Sequence, residues 1–268
     1  MTDTVLLAGC GNMGRAMLAG WLAAKPDLAA YVVEPAEALR DQAAALGATA
    51  VATPDALPNG LAPDLVILAV KPQIMSLVLP EYAEFTGATF VSIAAGTTVA
   101  TLQAGLGEAA PIIRCMPNTP SAIGAGMMVC YPTDNVPGTA RDLADVLLAA
   151  SGQVAWIDDE GLMDAVTAVS GSGPAYVFHM IETLGNAGTA AGLPADLSAK
   201  LAMQTVMGAG RLAEEVDTPP NVLREQVTSP GGTTAAALSV LMADPGLQDL
   251  MNRAVEAARA RGEELGRA

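Results

Sequence analysis

Short apolar runs alternate with helical stretches through the first half of the chain. Val5–Ala8, Tyr31–Val33, Leu65–Val70, Thr89–Ala94 and Ile112–Cys115 are rich in Val, Ile and Leu and predict buried strands. Between the first two, Arg15–Ala24 has helical periodicity, and a second helix is expected from Pro35 to about Leu46, with Gly47 as its C-cap. Strands alternating with helices imply βαβ units and a parallel, doubly wound α/β sheet. Met127–Cys130 and Val154–Ile157 complete the pattern as late edge strands, with a helix from about Thr139 to Ala150 between them.

The pattern changes after Asp158-Asp159-Glu160. Leu162–Val169, Tyr176–Ala191, Ala195–Glu215, Asn221–Gln226, Thr234–Ala243 and Gly246–Leu265 all show helical periods, and no convincing strand follows. The expected division is therefore a nucleotide-type domain over residues 1–160 and an all-helical domain over residues 161–268.

Composition narrows the field. A mean hydropathy of +0.39 is high, but the apolar residues are spread along the chain. Stretches such as Leu65–Val70 and Ala235–Ala243 fall far short of the roughly 18 residues of a membrane span. Met1-Thr2-Asp3 lacks the basic start of a secretion signal, so a soluble, cytoplasmic protein is expected. The net charge is −15, and both halves share it: residues 1–157 carry 6 basic and 13 acidic side chains, residues 158–268 carry 7 and 15. Neither half offers a basic stripe, which argues against nucleic acid and anionic membranes as partners. A small anion remains possible, held by local dipoles. The three cysteines (Cys10, Cys115, Cys130) and single histidine (His179) show no zinc spacing, so no metal is expected. His179 lies in the apolar helical run Tyr176–Met180 and reads as a structural histidine.

The first strand runs into Gly9-Cys10-Gly11-Asn12-Met13-Gly14 and then a helix, the GxGxxG pattern in the context that gives it meaning. Gly9 suits the tight turn, Gly11 a close approach to a pyrophosphate, and Gly14 tight helix–strand packing. Glu34 follows Gly14 by 20 residues at the end of the second strand. It suits either an acceptor for the ribose 2′-OH, which leans towards NADH over NADPH, or an ordinary helix-start carboxylate before Pro35. Arg40 could serve a 2′-phosphate if the loop turned. In such a sheet ligands bind beyond the carboxyl ends of the strands. Ala69-Val70-Lys71-Pro72-Gln73, Ile93-Ala94-Ala95-Gly96-Thr97-Thr98 and Arg114–Pro120, with Asn118, belong there.

Two segments of the helical half also invite a ligand. Ala168–Tyr176 (AVSGSGPAY) interrupts one helix and restarts another. Ser229-Pro230-Gly231-Gly232-Thr233-Thr234 opens an Ala-rich helix whose first N–H groups could cradle a carboxylate; plain N-capping is the simpler use of the same residues.

In these blocks, from Gly9–Gly14 to Val227–Thr234, the chain resembles the pyrroline-5-carboxylate reductases over essentially its whole length. The resemblance implies an N-terminal Rossmann domain, a C-terminal helical dimerisation domain, and homodimers that assemble further in some members. It places the dinucleotide along Gly9, Cys10, Gly11, Asn12, Met13, Gly14, Ala69, Val70, Lys71, Pro72, Ala94, Ala95, Gly96 and Asn118. The substrate, a small imine bearing a carboxylate, falls on Ser229, Gly232 and Thr233, with the Thr234 hydroxyl near the ring nitrogen. Thr234 and Ser229 are then the candidate catalytic residues. Asp217 stands where some members place an acidic residue, although Val216–Pro220 departs from the more usual His-Pro pattern. The cofactor choice, NADPH or NADH, does not carry over.

This chemistry suits the inventory: a protonated cyclic imine is already electrophilic, so hydride transfer needs orientation, with no histidine or metal. Two other readings stand. A hydroxy-acid dehydrogenase on the same plan would usually need a Lys or His acid–base, and the helical half offers only Lys200 and His179, neither beside a glycine-rich loop. A non-catalytic dinucleotide-binding protein has no need of Ser229–Thr234. Cys10, inside the glycine loop, would make the site sensitive to thiol reagents.

Overall fold

The computed structural model describes residues 2–266. The chain begins β1 (Thr4–Ala8), α1 (Asn12–Ala24), β2 (Ala29–Val33), α2 (Glu37–Ala45), β3 (Thr49–Val51), β4 (Leu65–Leu68), α3 (Pro72–Val78), β5 (Thr89–Ser92), α4 (Val99–Leu106) and β6 (Ile112–Met116). β7 (Gly126–Pro132), α5 (Gly138–Ala149) and β8 (Gly152–Trp156) follow. The eight strands form one sheet in the order β3-β2-β1-β4-β5-β6-β7-β8. Every neighbouring pair is parallel except β6–β7.

The expected doubly wound parallel sheet is thus present, with one antiparallel pair. Only residues 117–125 join β6 to β7, too few for a crossover helix, so the chain must return antiparallel. Met127–Cys130, expected at an edge, lies inside, and β8 takes the edge. The strands at Leu65–Val70 and Thr89–Ala94 also end two residues early. Ala69 N–H still reaches the Ala8 carbonyl at 2.8 Å, but Ala94 N–H turns to the Ser92 hydroxyl at 3.4 Å, so the chain leaves the ladder where ligand-side loops begin.

Both sheet faces are covered. Met17, Leu18 and Trp21 of α1 and Leu147 and Leu148 of α5 build one core; Met75 and Leu79 with Tyr82, Phe85 and the α4 residues Leu102 and Leu106 build the other. Strands buried on both faces read as continuous apolar runs, which is why β4 and β5 were visible in the sequence.

Beyond β8 come α6 (Met163–Val166), a π turn (Thr167–Gly171), α7 (Gly173–Ala190), α8 (Ala195–Glu215), α9 (Pro220–Gln226), α10 (Thr233–Leu241) and α11 (Leu247–Gly266). The single helix expected at Leu162–Val169 is thus a short α segment running into a π turn. Gly173–Ala257 forms one compact unit; the chain up to Ser172, joined by the described residues from Ala258 on, forms the other. In the helical unit α7 and α8 pack closely, with the Ser198 hydroxyl donating to the Gly185 carbonyl at 2.6 Å. Beyond Ser198 and Ala202 of α8, none of the described residues of α7 to α11 is buried.

Candidate active site

The three glycines of the first loop do three separable jobs. Gly9 turns the chain at φ +88°, and a Cβ there would sit 3.1 Å from both the Ala69 carbonyl oxygen and Val70 Cγ1. At Gly14, one turn into α1, a Cβ would lie 2.7 Å from the Gly9 carbonyl oxygen, so helix and strand close only on glycine. Gly11 has open space within 4 Å of where a Cβ would be. It is also the N-cap of α1 and brings no side chain to close the helix start, leaving the first-turn N–H groups at Asn12, Met13 and Gly14 to an anion. A cleft of about 640 Å³ opens here, lined among others by Gly9, Gly11, Glu34, Ala69, Val70 and Lys71. A bridging pyrophosphate fits this cradle, because the one glycine facing free space is the one whose side chain would fill it.

Glu34 and Cys10 are joined beside it. Glu34 is buried, one carboxylate oxygen accepting from Cys10 N–H at 2.7 Å and the other from Ala36 N–H at 3.0 Å. The carboxylate therefore ties the glycine loop to the chain entering α2, the helix-start role read from the sequence, and it also lines the cleft. Arg40 Nη1 donates to the Glu34 and Pro35 carbonyls at 2.9 and 2.5 Å, which anchors its guanidinium at the same strand end. Cys10 is fully buried, and burial first, then the Glu34 charge, pushes its thiol pKa up. Burial argues against the expected sensitivity of this cysteine to thiol reagents, since attack needs an accessible thiolate.

A second cleft, of about 590 Å³, is lined by residues that include Pro72, Gln73, Ala95, Gly96, Thr97 and Leu265. Ala94, just before these loop residues, is buried. Sequence reading missed a carboxylate that ties two elements of the sheet unit together. One Glu160 oxygen accepts from Arg114 Nη1 and from Val99 N–H, each at 2.8 Å, so a single carboxylate holds β6 and the start of α4. The available signal was a buried arginine in an apolar strand, which requires a partner. Asn118 is turned into the protein: its Oδ1 accepts from Met127 N–H at 2.9 Å, and its Nδ2 donates to the Ser170 carbonyl and hydroxyl oxygens at 3.2 and 3.3 Å.

In the helical unit, Ser229 and Thr233 are exposed, while Gly232 and Thr234 are half-buried. Gly232 is the N-cap of α10, again without a side chain, so the amides of this first turn are open to a carboxylate. Gly232 N–H is used locally, on the Ser229 carbonyl at 3.0 Å. Asp217 is exposed between α8 and α9. His179, read as a structural histidine, stands instead on an exposed face of α7, with Nδ1 3.0 Å from Glu182 Oε2. Among the described residues no group of three His, Cys, Asp or Glu side chains could hold a metal ion, and no helix is long and apolar enough to cross a membrane.

A glycine-loop sheet unit and a separate helical unit with its own anion-ready loop define a dinucleotide-dependent oxidoreductase of two-part plan. Residues 4–96 match the family model for F420-dependent NADP oxidoreductases, and residues 160–265 match that for pyrroline-5-carboxylate reductase dimerisation. A pyrroline-5-carboxylate reductase from Pseudomonas aeruginosa is 38% identical over 98% of this chain and 97% of its own length. Among solved structures, a pyrroline-5-carboxylate reductase from Coxiella burnetii superimposes with a TM-score of 0.91 at 33% identity, covering 99% of each chain. The Plasmodium falciparum pyrroline carboxylate reductase, solved with NADP bound, gives 0.80 at 29%, covering 98% of each. The chain belongs to the pyrroline-5-carboxylate reductase family.

Proposed function

We propose that this protein reduces 1-pyrroline-5-carboxylate to L-proline with a reduced nicotinamide dinucleotide, residues 1–160 serving the dinucleotide and residues 161–268 the substrate and the dimer. The observation that carries the reading is the glycine loop, whose one open glycine faces the cleft at an uncapped helix start. The near full-length likeness to relatives of that name supports it.

Bound nicotinamide supplies the hydride that ends on the imine carbon. Gly9–Gly14 hold the phosphates on the first-turn amides of α1, and Ala69–Pro72 with Ala94–Gly96 shape the walls beyond the strands. Ser229, Gly232 and Thr233 take the substrate carboxylate on the dipole of α10. The Thr234 hydroxyl hydrogen-bonds the ring nitrogen and keeps the ring in register, and Asp217 supplies negative charge that favours the protonated imine. Ser229 and Thr234 thus act by orientation, which is the main demand when the electrophile is already activated.

Glu34 favours NADH: a buried carboxylate in the cleft wall repels a 2′-phosphate. The helical unit pairs with a second copy, because faces carrying Phe178, Met207 and Leu212 are too apolar to stay in water. Dimers can then build a larger assembly in the cytoplasm. Initial rates with pyrroline-5-carboxylate, NADH and NADPH in parallel test the reading. Turnover with NADH ahead of NADPH is expected, and Glu34→Gln should narrow the gap. Cofactor binding without turnover of the imine would return the protein to the dehydrogenase or non-catalytic readings.

A further inference from the structure

The amide of Asn118 is committed on both sides. An asparagine side chain offers two N–H donors and one carbonyl acceptor. Here the acceptor is taken by Met127 N–H at the start of β7, and the donors face both oxygens of Ser170. Ser170 lies 52 residues further along, within the π turn Thr167–Gly171. That turn is closed by Ser172 N–H on the Thr167 carbonyl at 2.8 Å, a spacing of five residues. π turns are rare and concentrate where function needs an altered helix course.

A second contact reaches the same turn from Met116, two residues before Asn118. A Cβ built on Gly171 would meet Met116 Cε, so the methyl end of the last residue of β6 packs against the turn at its glycine. Met116 and Asn118 therefore grip adjacent residues of one turn, by packing and by hydrogen bonds. The next element is α7, which begins at Gly173.

We propose that Asn118 is a positioning residue that clamps the π turn and so fixes where α7 begins, and that it makes no direct contact with the dinucleotide. Its kinetic consequence rests on the reductase reading; the clamp itself does not. Losing the clamp lets the turn relax towards an ordinary helix, which shifts the residue at which α7 begins.

The test is Asn118→Ala, with Asn118→Asp and Ser170→Ala as companions. In dinucleotide-free protein, backbone exchange over residues 167–172 should quicken in Asn118→Ala. It should also quicken in Asn118→Asp, which keeps the Met127 bond but has no donor for Ser170, and less so in Ser170→Ala. NADH binding, followed by its fluorescence, should be unchanged, while kcat falls about 100-fold, the scale expected of a small misplacement. Unchanged exchange together with weakened NADH binding would make Asn118 a cofactor contact and overturn the proposal. Should the wild-type protein fail to reduce the imine, the reductase reading falls, and the exchange and NADH measurements still decide the clamp.

Discussion

The two units of this chain solve the problem of stability in opposite ways. The sheet unit is self-sufficient: Phe90, Leu6, Leu7 and Trp21 are almost wholly enclosed, and each face of the sheet has its own helical cover. The helical unit contributes only small residues, Ser198 and Ala202, to its interior, while Phe178 stays 63% exposed and Val240 72%. Apolar burial is the dominant favourable term in folding, so a helix cluster without a buried core needs another surface to complete it. The same hydrophobic periodicity can therefore encode a core within a chain or half of a core shared between chains.

Two phenylalanines set this difference against itself. Phe90→Ala removes a ring that is 1% exposed and should cost about 4 kcal/mol of stability, independent of protein concentration. Phe178→Asp should leave the sheet unit's unfolding unchanged yet weaken self-association by about 3 kcal/mol, read by sedimentation and by a melting temperature that varies with concentration. A Phe178→Asp protein that still sediments as the wild type would break the comparison. A smaller effect separates the units functionally. Thr234→Ala should lower turnover about 100-fold, the scale expected when a group that orients the ring is lost, while leaving NADH binding intact. Loss of NADH binding would place Thr234 with the wrong ligand. The smallest effect concerns Cys10. With its thiol pKa raised by burial and by Glu34, iodoacetamide near pH 8 should leave activity unchanged; rapid inactivation, abolished by Cys10→Ser, would show the glycine loop opening to solvent.

Local signals were the legible ones. Gly9–Gly14 was readable because strand, turn and helix start are contiguous, and each glycine's role depends on near neighbours. The segments at α3, α4 and β3 drew no notice. β3 is three residues, one exposed and two half-buried, and α3 and α4 are short helices whose starts, Pro72 and Thr98, belong to the loops read for ligands. The Thr98 hydroxyl does cap α4 through Thr101 N–H, at 3.2 Å. What escaped entirely was the long-range polar bookkeeping. Glu160 with Arg114 and Val99, and Asn118 with Ser170, join residues 46 to 61 positions apart, and no periodicity announces such pairs. The reversal at β7 belongs to the same class, since the direction of a strand depends on the length of the link before it and not on its own residues. In the helical unit, the element pattern was clear while the identity of the surface it packs on was not.

The last helix has a bearing on how this protein can be taken apart. α11 starts among the helical unit's residues, but from Ala258 on it belongs with the sheet unit, where Leu265 and Gly266 lie against Gly96. The sheet unit is therefore discontinuous in the gene: its fold is finished by codons that come after the whole of the other unit. Neither part is an exchangeable cassette. A truncation at residue 172 would strip the wall of the second cleft along with the helices, and grafting a foreign helical unit would have to preserve those final turns. Modularity here is a property of the folded protein and not of its reading frame.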